Sequence, residues 1–247
     1  MSTADDAPLL AIAGMTKSFG GFVALDNVSI DIGKGERFGL IGPNGSGKTT
    51  LINCISGALS PQKGSVTFAG EDVTGLPAYQ RARRGIARSF QIPRPFKSMT
   101  VVENLMVALD FAAGHTVFES AAHQRDAALA ILSRIGLAAR ADAATTTLTQ
   151  VELRKMELAR ALAARPKLLI SDEAMAGLSG AEVDEVLDLL LSLAADDITI
   201  IMIEHIMQAV MKFSQRVMCL DAGRIIALGT PHEVMADKRV QEAYLGA

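Results

Sequence analysis

Short unbroken apolar runs alternate along the chain with longer stretches in which apolar residues return every three or four positions. The first pattern marks strands buried on both faces and the second marks helices laid against them; their alternation predicts a parallel sheet covered by helices. Arg37 to Ile41 reads as a buried strand ended by Gly42 and Pro43, with a helix following from Thr49 to Gly57. Leu168 to Ser171 and Ile198 to Ile203 read as two more such strands. Between them Val183, Val186, Leu187, Leu190 and Ala194 recur at helical spacing, which predicts a helix with one stripe on the sheet.

Other segments depart from that pattern. Arg216 to Leu220 and Arg224 to Leu228 flank Asp221-Ala222-Gly223, a hairpin signal. Ala24 to Ile32 and Ser65 to Phe68, ahead of Ala69-Gly70, are hairpin-like and predict an antiparallel flap beside the parallel core. From Val101 to about Leu162 strand character fades, and alanine-rich helical segments such as Ala127 to Ile135 and Leu153 to Leu162 take over. This predicts a helical lobe, approximately residues 95–160, inserted in one domain spanning 1–247, with 112–124 as its least regular part.

Composition narrows the function. The 247 residues are 49% apolar and 21% charged, enough for a sizeable core. A net charge of −3 argues against nucleic-acid binding. The local basic cluster Arg81, Arg83, Arg84 and Arg88 reads as solvated surface. Cys54 and Cys219 lack metal-ligand spacing and read as buried thiols in a reducing compartment. The start MSTADDAPLL has no basic stretch leading into an apolar one, so no signal peptide is expected. No run reaches the ~18 apolar residues of a membrane span, so the chain reads as soluble and any membrane role as borrowed from a partner.

Gly42-Pro43-Asn44-Gly45-Ser46-Gly47-Lys48-Thr49 matches G-x-x-x-x-G-K-[ST] between a predicted strand and a predicted helix, and Thr50 follows it. Gly45 and Gly47 free the backbone to turn its N–H groups toward phosphate oxygens, and the helix start adds its positive end. Lys48 is placed for the β- and γ-phosphates and the Thr49 hydroxyl for Mg²⁺, so a nucleoside triphosphate with Mg²⁺ is the expected ligand. Downstream, the apolar Leu168 to Ile170 leads into Ser171-Asp172-Glu173. Asp172 is suited to the Mg²⁺ shell and Glu173 to polarising a water for attack on the γ-phosphate. On its own, such an acid pair also fits a helix start or a solvated turn; the upstream loop tips the balance.

With these blocks in order, the sequence resembles the ABC transporter ATPases along nearly its whole length. The likeness rests on Phe19 before GGFVALDNVSI, the phosphate loop, SFQ ending at Gln91, LTQVE before LRKMELARAL, Asp172-Glu173, AGLS at 176–179 and IEH ending at His205. Within the superfamily it looks most like the branched-chain amino-acid importer group, through RSFQIPRPFKSMTVVENLMVAL, IEHIMQAVMKFSQRV and VQEAYLG. The resemblance implies an α/β fold of the P-loop NTPase (RecA-like) kind. It implies that Phe19 stacks on adenine, that Gln91 reaches Mg²⁺ and the attacking water, and that His205 contacts the γ-phosphate and holds Glu173. The residues alone also fit a core aromatic, a polar loop residue and a strand-end histidine.

The implied partners are a second ABC ATPase subunit, identical or different, transmembrane permease subunits, and indirectly a periplasmic or extracellular binding protein. The implied location is the cytoplasmic face of the plasma membrane, with docking near Gln91 to Val101 through Phe96 and Met99, residues that equally fit packing within the lobe. Departures from the family stand beside the likeness. The signature, commonly LSGGQ, here reads Leu148-Thr149-Gln150-Val151-Glu152, where Val151 removes a glycine and Thr149 with Glu152 forms a capping box. This predicts a helix start that satisfies itself and a weak or inactive site in the partner's pocket. Ala174 replaces the proline usual after the acid pair, and Ser179 with Glu182 forms another capping box. Two further readings remain: a regulatory subunit that binds ATP with little hydrolysis, and a non-transport ABC protein, the latter disfavoured by the short insertion and single domain.

Overall fold

The structure, a computed structural model, describes residues 7–90, 93–113 and 120–245. The chain opens with two long strands, β1 (Leu10–Phe19) and β2 (Phe22–Ile32), before β3 (Arg37–Ile41) runs into the glycine-rich loop and α1 (Lys48–Ser56). Then come β4 (Lys63–Phe68), β5 (Glu71–Asp72), α2 (Ala78–Arg84) and β6 (Ile86–Ser89). Three helices follow, α3 (Val101–Ala113), α4 (Ala121–Arg134) and α5 (Gln150–Ala163), and then β7 (Leu168–Asp172), α6 (Gly180–Ala195), β8 (Thr199–Ile203) and α7 (Met207–Phe213). The chain closes with the hairpin β9 (Arg216–Asp221) and β10 (Arg224–Gly229) and two short helices, α8 (Pro231–Ala236) and α9 (Lys238–Leu245).

Strands β9, β3, β8, β7 and β6 are parallel neighbours in one six-stranded sheet, and β10 adds an antiparallel edge. The flap is a separate antiparallel sheet of order β2-β1-β4-β5. Strand β1, which carries Phe19 at its end, is not among the strands that the apolar pattern predicts, because its irregular register with β2 and β4 breaks the alternation; its hairpin with β2 turns through Gly20-Gly21, with Phe19 opposite Phe22.

Strand periodicity divides the core. Leu168, Ile170, Ile201, Ile203, Phe38 and Leu40 face the flap and α1, packing with Leu10, Ile12, Leu51 and Ile55. Leu169, Ile200 and Met202 face the other way onto α6 and the α3–α5 lobe. Ile41, Val217 and Cys219 form a third small core with Val210, Val234 and Val240. Both cysteines are free and buried. No described helix is long and apolar enough to cross a membrane.

The basic cluster corrects its sequence reading. Arg83 and Arg84 are exposed, but Arg81 is 1% exposed and Arg88 is mostly buried. Arg81 donates to the carbonyls of Cys54 (2.7 Å) and Ile55 (2.8 Å) at the end of α1, and to those of Leu76 and Thr74. The negative end of α1 and four acceptors thus replace the water this charge gives up. A charge run counted by residue type cannot distinguish a guanidinium that finds buried carbonyls from one that finds solvent. Arg81→Leu strands those acceptors and should lower stability by about 3 kcal/mol in urea denaturation, while Arg81→Lys, unable to span four carbonyls, should recover only part.

Candidate functional site

The loop 42–49 has the conformation that its glycines allow. Gly47, at φ 107°, caps α1 in a left-handed conformation, and a Cβ there would lie 2.4 Å from the Ala24 carbonyl oxygen. Gly42 is tighter still, since a Cβ would stand 2.1 Å from the Leu220 carbonyl oxygen. Asn44, Gly45 and Thr49 are exposed, Pro43 and Thr50 half-buried. Lys48 is buried, and its Nζ donates to the loop's own carbonyls, Gly42 at 2.7 Å and Pro43 at 2.9 Å. Burial lowers the pKa of that amine, opposed chiefly by the charge of Glu173 and also by that of Asp172. Ser46 Oγ is buried without a hydrogen-bond partner at the centre of the loop. A cation resting on its own loop and an orphaned hydroxyl beside it are features an arriving anion would satisfy.

The acid pair sits two strands away at the same edge. Asp172 ends β7 and pairs with Ile203 of β8, and Leu40 of β3 pairs with the same Ile203. Three strand ends therefore finish level, and the residues just past them, Gly42, Glu173 and Glu204-His205, share one edge. Glu173 occupies a left-handed conformation at φ 48°, a position that long side chains rarely accept, and its N–H donates to the Ile203 carbonyl at 2.9 Å. That turn brings its Oε1 to 3.2 Å from His205 Nε2. With the ring proton on Nε2 the imidazole donates to the carboxylate.

Asp172 accepts from Arg88 at 2.6 Å, and Arg88 also donates to the Asn53 side chain of α1 at 2.6 Å. Arg88 thus ties the end of β7 to the helix of the phosphate loop, which is what its surface reading missed. The Thr49 hydroxyl and the Asp172 carboxylate are hard oxygen donors of the kind Mg²⁺ accepts, one or two per ion with phosphates and water completing the shell. Phe19 is 47% exposed at the end of β1, with the Lys17 amine 5.3 Å from its ring centre, so it is not a core aromatic. Gln91 lies outside the described residues.

Two groups at this edge carried no clear signal in sequence. Glu204, 2% exposed, accepts from the Met175 N–H at 2.9 Å and so ties the segment after Glu173 to the strand end that carries His205. Burial pushes its carboxyl up to about 7 against the N–H groups of Met175 and His205. Tyr244 of α9 accepts the Gly42 N–H at 2.7 Å, and burial pushes its hydroxyl up to about 12, so it keeps its proton.

At the start of α5 the expected capping box is present. Glu152 N–H donates to Thr149 Oγ1 (3.3 Å) and Thr149 N–H donates to Glu152 Oε2 (2.8 Å), while Arg140 pairs with Glu152 at 3.2 Å. Val151 is half-buried and packs on the lobe's core. The obstruction expected of its branched side chain is thereby reduced, because the methyls find apolar partners behind the helix start. Ser179 and Glu182 form the second expected box.

Comparison with known proteins identifies the family. The family model described as ABC transporter matches residues 25–176, and that described as Branched-chain amino acid ATP-binding cassette transporter matches 224–247. The chain is similar to the high-affinity branched-chain amino acid transport ATP-binding protein LivG of Salmonella typhimurium, 39% identical over 97% of this chain and 98% of that protein. It is 36% identical to the corresponding BraF protein of Pseudomonas aeruginosa over the same shares. Among solved structures, an ATP-binding cassette of an ABC transporter in its ADP conformation superposes with a TM-score of 0.88 at 33% identity, covering 97% of this chain and 99% of that one.

Glu204 makes the site's stability depend on pH. Its folded carboxyl holds a proton up to about 7 and the unfolded one releases it near 4.5, so the folded state binds more protons between those values. This group's contribution to stability should fall as pH rises through that window and level off above it. Denaturant curves at several pH values should show Glu204→Gln flattening that part of the profile; a variant with the wild-type slope would show that the buried acid is not proton-linked.

Proposed function

The chain belongs to the ABC transporter ATP-binding family, and from that premise we propose that it is the ATP-hydrolysing subunit of an importer for branched-chain amino acids or related small amino or organic acids. The observation that carries the reading is the 3.2 Å approach of His205 to Glu173 at the strand ends that also launch the phosphate loop. The substrate class follows the names of relatives that match over nearly the full chain.

In this reading Lys48 exchanges the Gly42 and Pro43 carbonyls for the β- and γ-phosphates, while loop N–H groups and Ser46 line the rest of the anion. Phe19, exposed at the end of β1, stacks on adenine. Glu173 takes the proton of the attacking water, and His205 keeps the carboxylate aimed. Thr49 and Asp172 hold Mg²⁺, which when bound draws negative charge off the phosphate oxygens. Gln91 is assigned to that ion and to the water by its motif position alone.

The chain reaches the membrane through permease subunits, at the cytoplasmic face, and serves a periplasmic or extracellular binding protein indirectly. We assign the docking surface to Phe96, 42% exposed with Arg160 5.3 Å from its ring centre, and to Met99; Arg160 also lines a groove of about 310 Å³ with Ala58, Ala82 and Phe90. A second ABC ATPase subunit completes the assembly. At the helix start that this chain would offer to that subunit's nucleotide, the Thr149 and Glu152 N–H groups are already taken by the capping box, and Glu152 adds a negative charge that opposes an anion. With a different subunit as partner, the pocket this chain owns is the working one, and the pocket it lends to is weak. The same capping favours a second reading, an ATP-binding regulatory subunit with little hydrolysis.

Steady-state ATPase assays on the chain assembled with its partner subunits separate these readings. Glu173→Gln should lower turnover about 100-fold or more, whereas Val151→Gly should change it less than about threefold. Equal silencing by both substitutions would remove the asymmetry. Wild-type turnover no faster than Glu173→Gln would favour the regulatory reading.

A further inference from the structure

The ladder between β3 and β9 ends at Ile41 and Cys219, so the next N–H, that of buried Gly42, gets no partner from the sheet. A buried donor in that position needs an acceptor. Tyr244 supplies it from 202 residues away, its hydroxyl 2.7 Å from the Gly42 nitrogen. The reach is set by α9. Val240 and Tyr244 stand four residues apart and so share a helix face. Val240, 1% exposed, packs in the small core that contains Ile41, Val217 and Cys219, which fixes α9 beside the end of β3. One turn further on, the tyrosine meets the first residue of the loop.

Gly42 is thereby held on three sides. Tyr244 takes its N–H, Lys48 donates to its carbonyl at 2.7 Å, and the Leu220 carbonyl closes the space where a side chain would be. When Lys48 leaves for phosphate, the tyrosine contact and the Leu220 wall remain. We propose that Tyr244 is a positioning residue for nucleotide binding, through which the C-terminal helix holds the entry of the phosphate loop in its binding conformation before the nucleotide arrives. Preorganisation of this kind raises affinity by removing an ordering step and leaves the chemistry at Glu173 untouched. The proposal rests on the reading of loop 42–49 as the triphosphate site.

The test is Tyr244→Phe in the full chain, which removes the hydroxyl and keeps the ring. Titration with fluorescent ATP and ADP analogues should show Kd rising roughly three- to tenfold for both, the loss of one hydrogen bond's worth of preorganisation. Turnover at saturating ATP should stay within about twofold, and hydrogen exchange at the Gly42 amide of the nucleotide-free protein should speed up. Val240→Ala, which loosens α9 and keeps the hydroxyl, should move Kd in the same direction by less. An unchanged Kd, unchanged Gly42 exchange, or a fall in turnover without a rise in Kd would overturn the proposal. Should Tyr244→Phe fail to fold, the Kd and Gly42 exchange of Val240→Ala decide it. A wild-type chain that binds neither analogue would sink the triphosphate reading instead, and exchange at Gly42 would still report on the tyrosine contact.

Discussion

The parallel ladder at Ile203 is the constraint on which the site depends. Ile203 pairs with Leu40 on one side and Asp172 on the other, so three chain segments far apart in sequence end at one level. Because side chains alternate along a strand, a slip of one residue would turn Asp172 inward and carry Glu173 away from His205. The apolar alternation that holds this register is the same one that builds the two large cores. Stability and site geometry are thus properties of one set of residues, among them Leu40, Ile170, Ile201 and Ile203.

What the register brings together is held under opposed demands. Glu173 sits at φ 48°, Lys48 is buried on backbone carbonyls, and Glu204 is a buried acid. Each is unfavourable alone and each is held by neighbours: Ile203 for the Glu173 N–H, Gly42 and Pro43 for Lys48, and the Met175 N–H for Glu204. Strained or buried polar groups that cluster at one sheet edge mark where the fold gives up stability for chemistry.

Sequence pattern carried β3, β7, β8, the helices α3–α5 and the loop because each expresses a period or a motif; β6 carried no such signal, and β9 reads in sequence only as a hairpin arm although it also pairs in parallel with β3. Arg37 to Ile41 has the ends that the pattern predicts, while the other two predicted parallel strands differ at a terminus, β7 running on to Asp172 and β8 starting at Thr199. Two of the capping boxes were legible for the same reason, since Thr149 with Glu152 and Ser179 with Glu182 stand three apart. Contacts between distant segments were not legible. Nothing in the neighbours of Arg81 or Arg88 says that one lies under α1 and the other on Asp172. Glu204 looks like any acid beside a histidine until its burial is known, and Tyr244 gains meaning only when α9 folds back on β3. Val151 was read as an obstruction from its shape, and its packing on the lobe moves the weight of that idea to Thr149 and Glu152.

The central proposal is an asymmetry between this chain and a different partner subunit: the pocket owned by this chain brings together the phosphate loop, Asp172, Glu173 and His205, whereas the helix start that it lends has two of its N–H groups taken by its own side chains. Rapid-quench measurement of phosphate released by the assembled transporter, preloaded with ATP in both pockets, tests it most directly. The account predicts a fast burst of about one phosphate per pair of cassettes, followed by a much slower second release. Two phosphates released at one rate would contradict it.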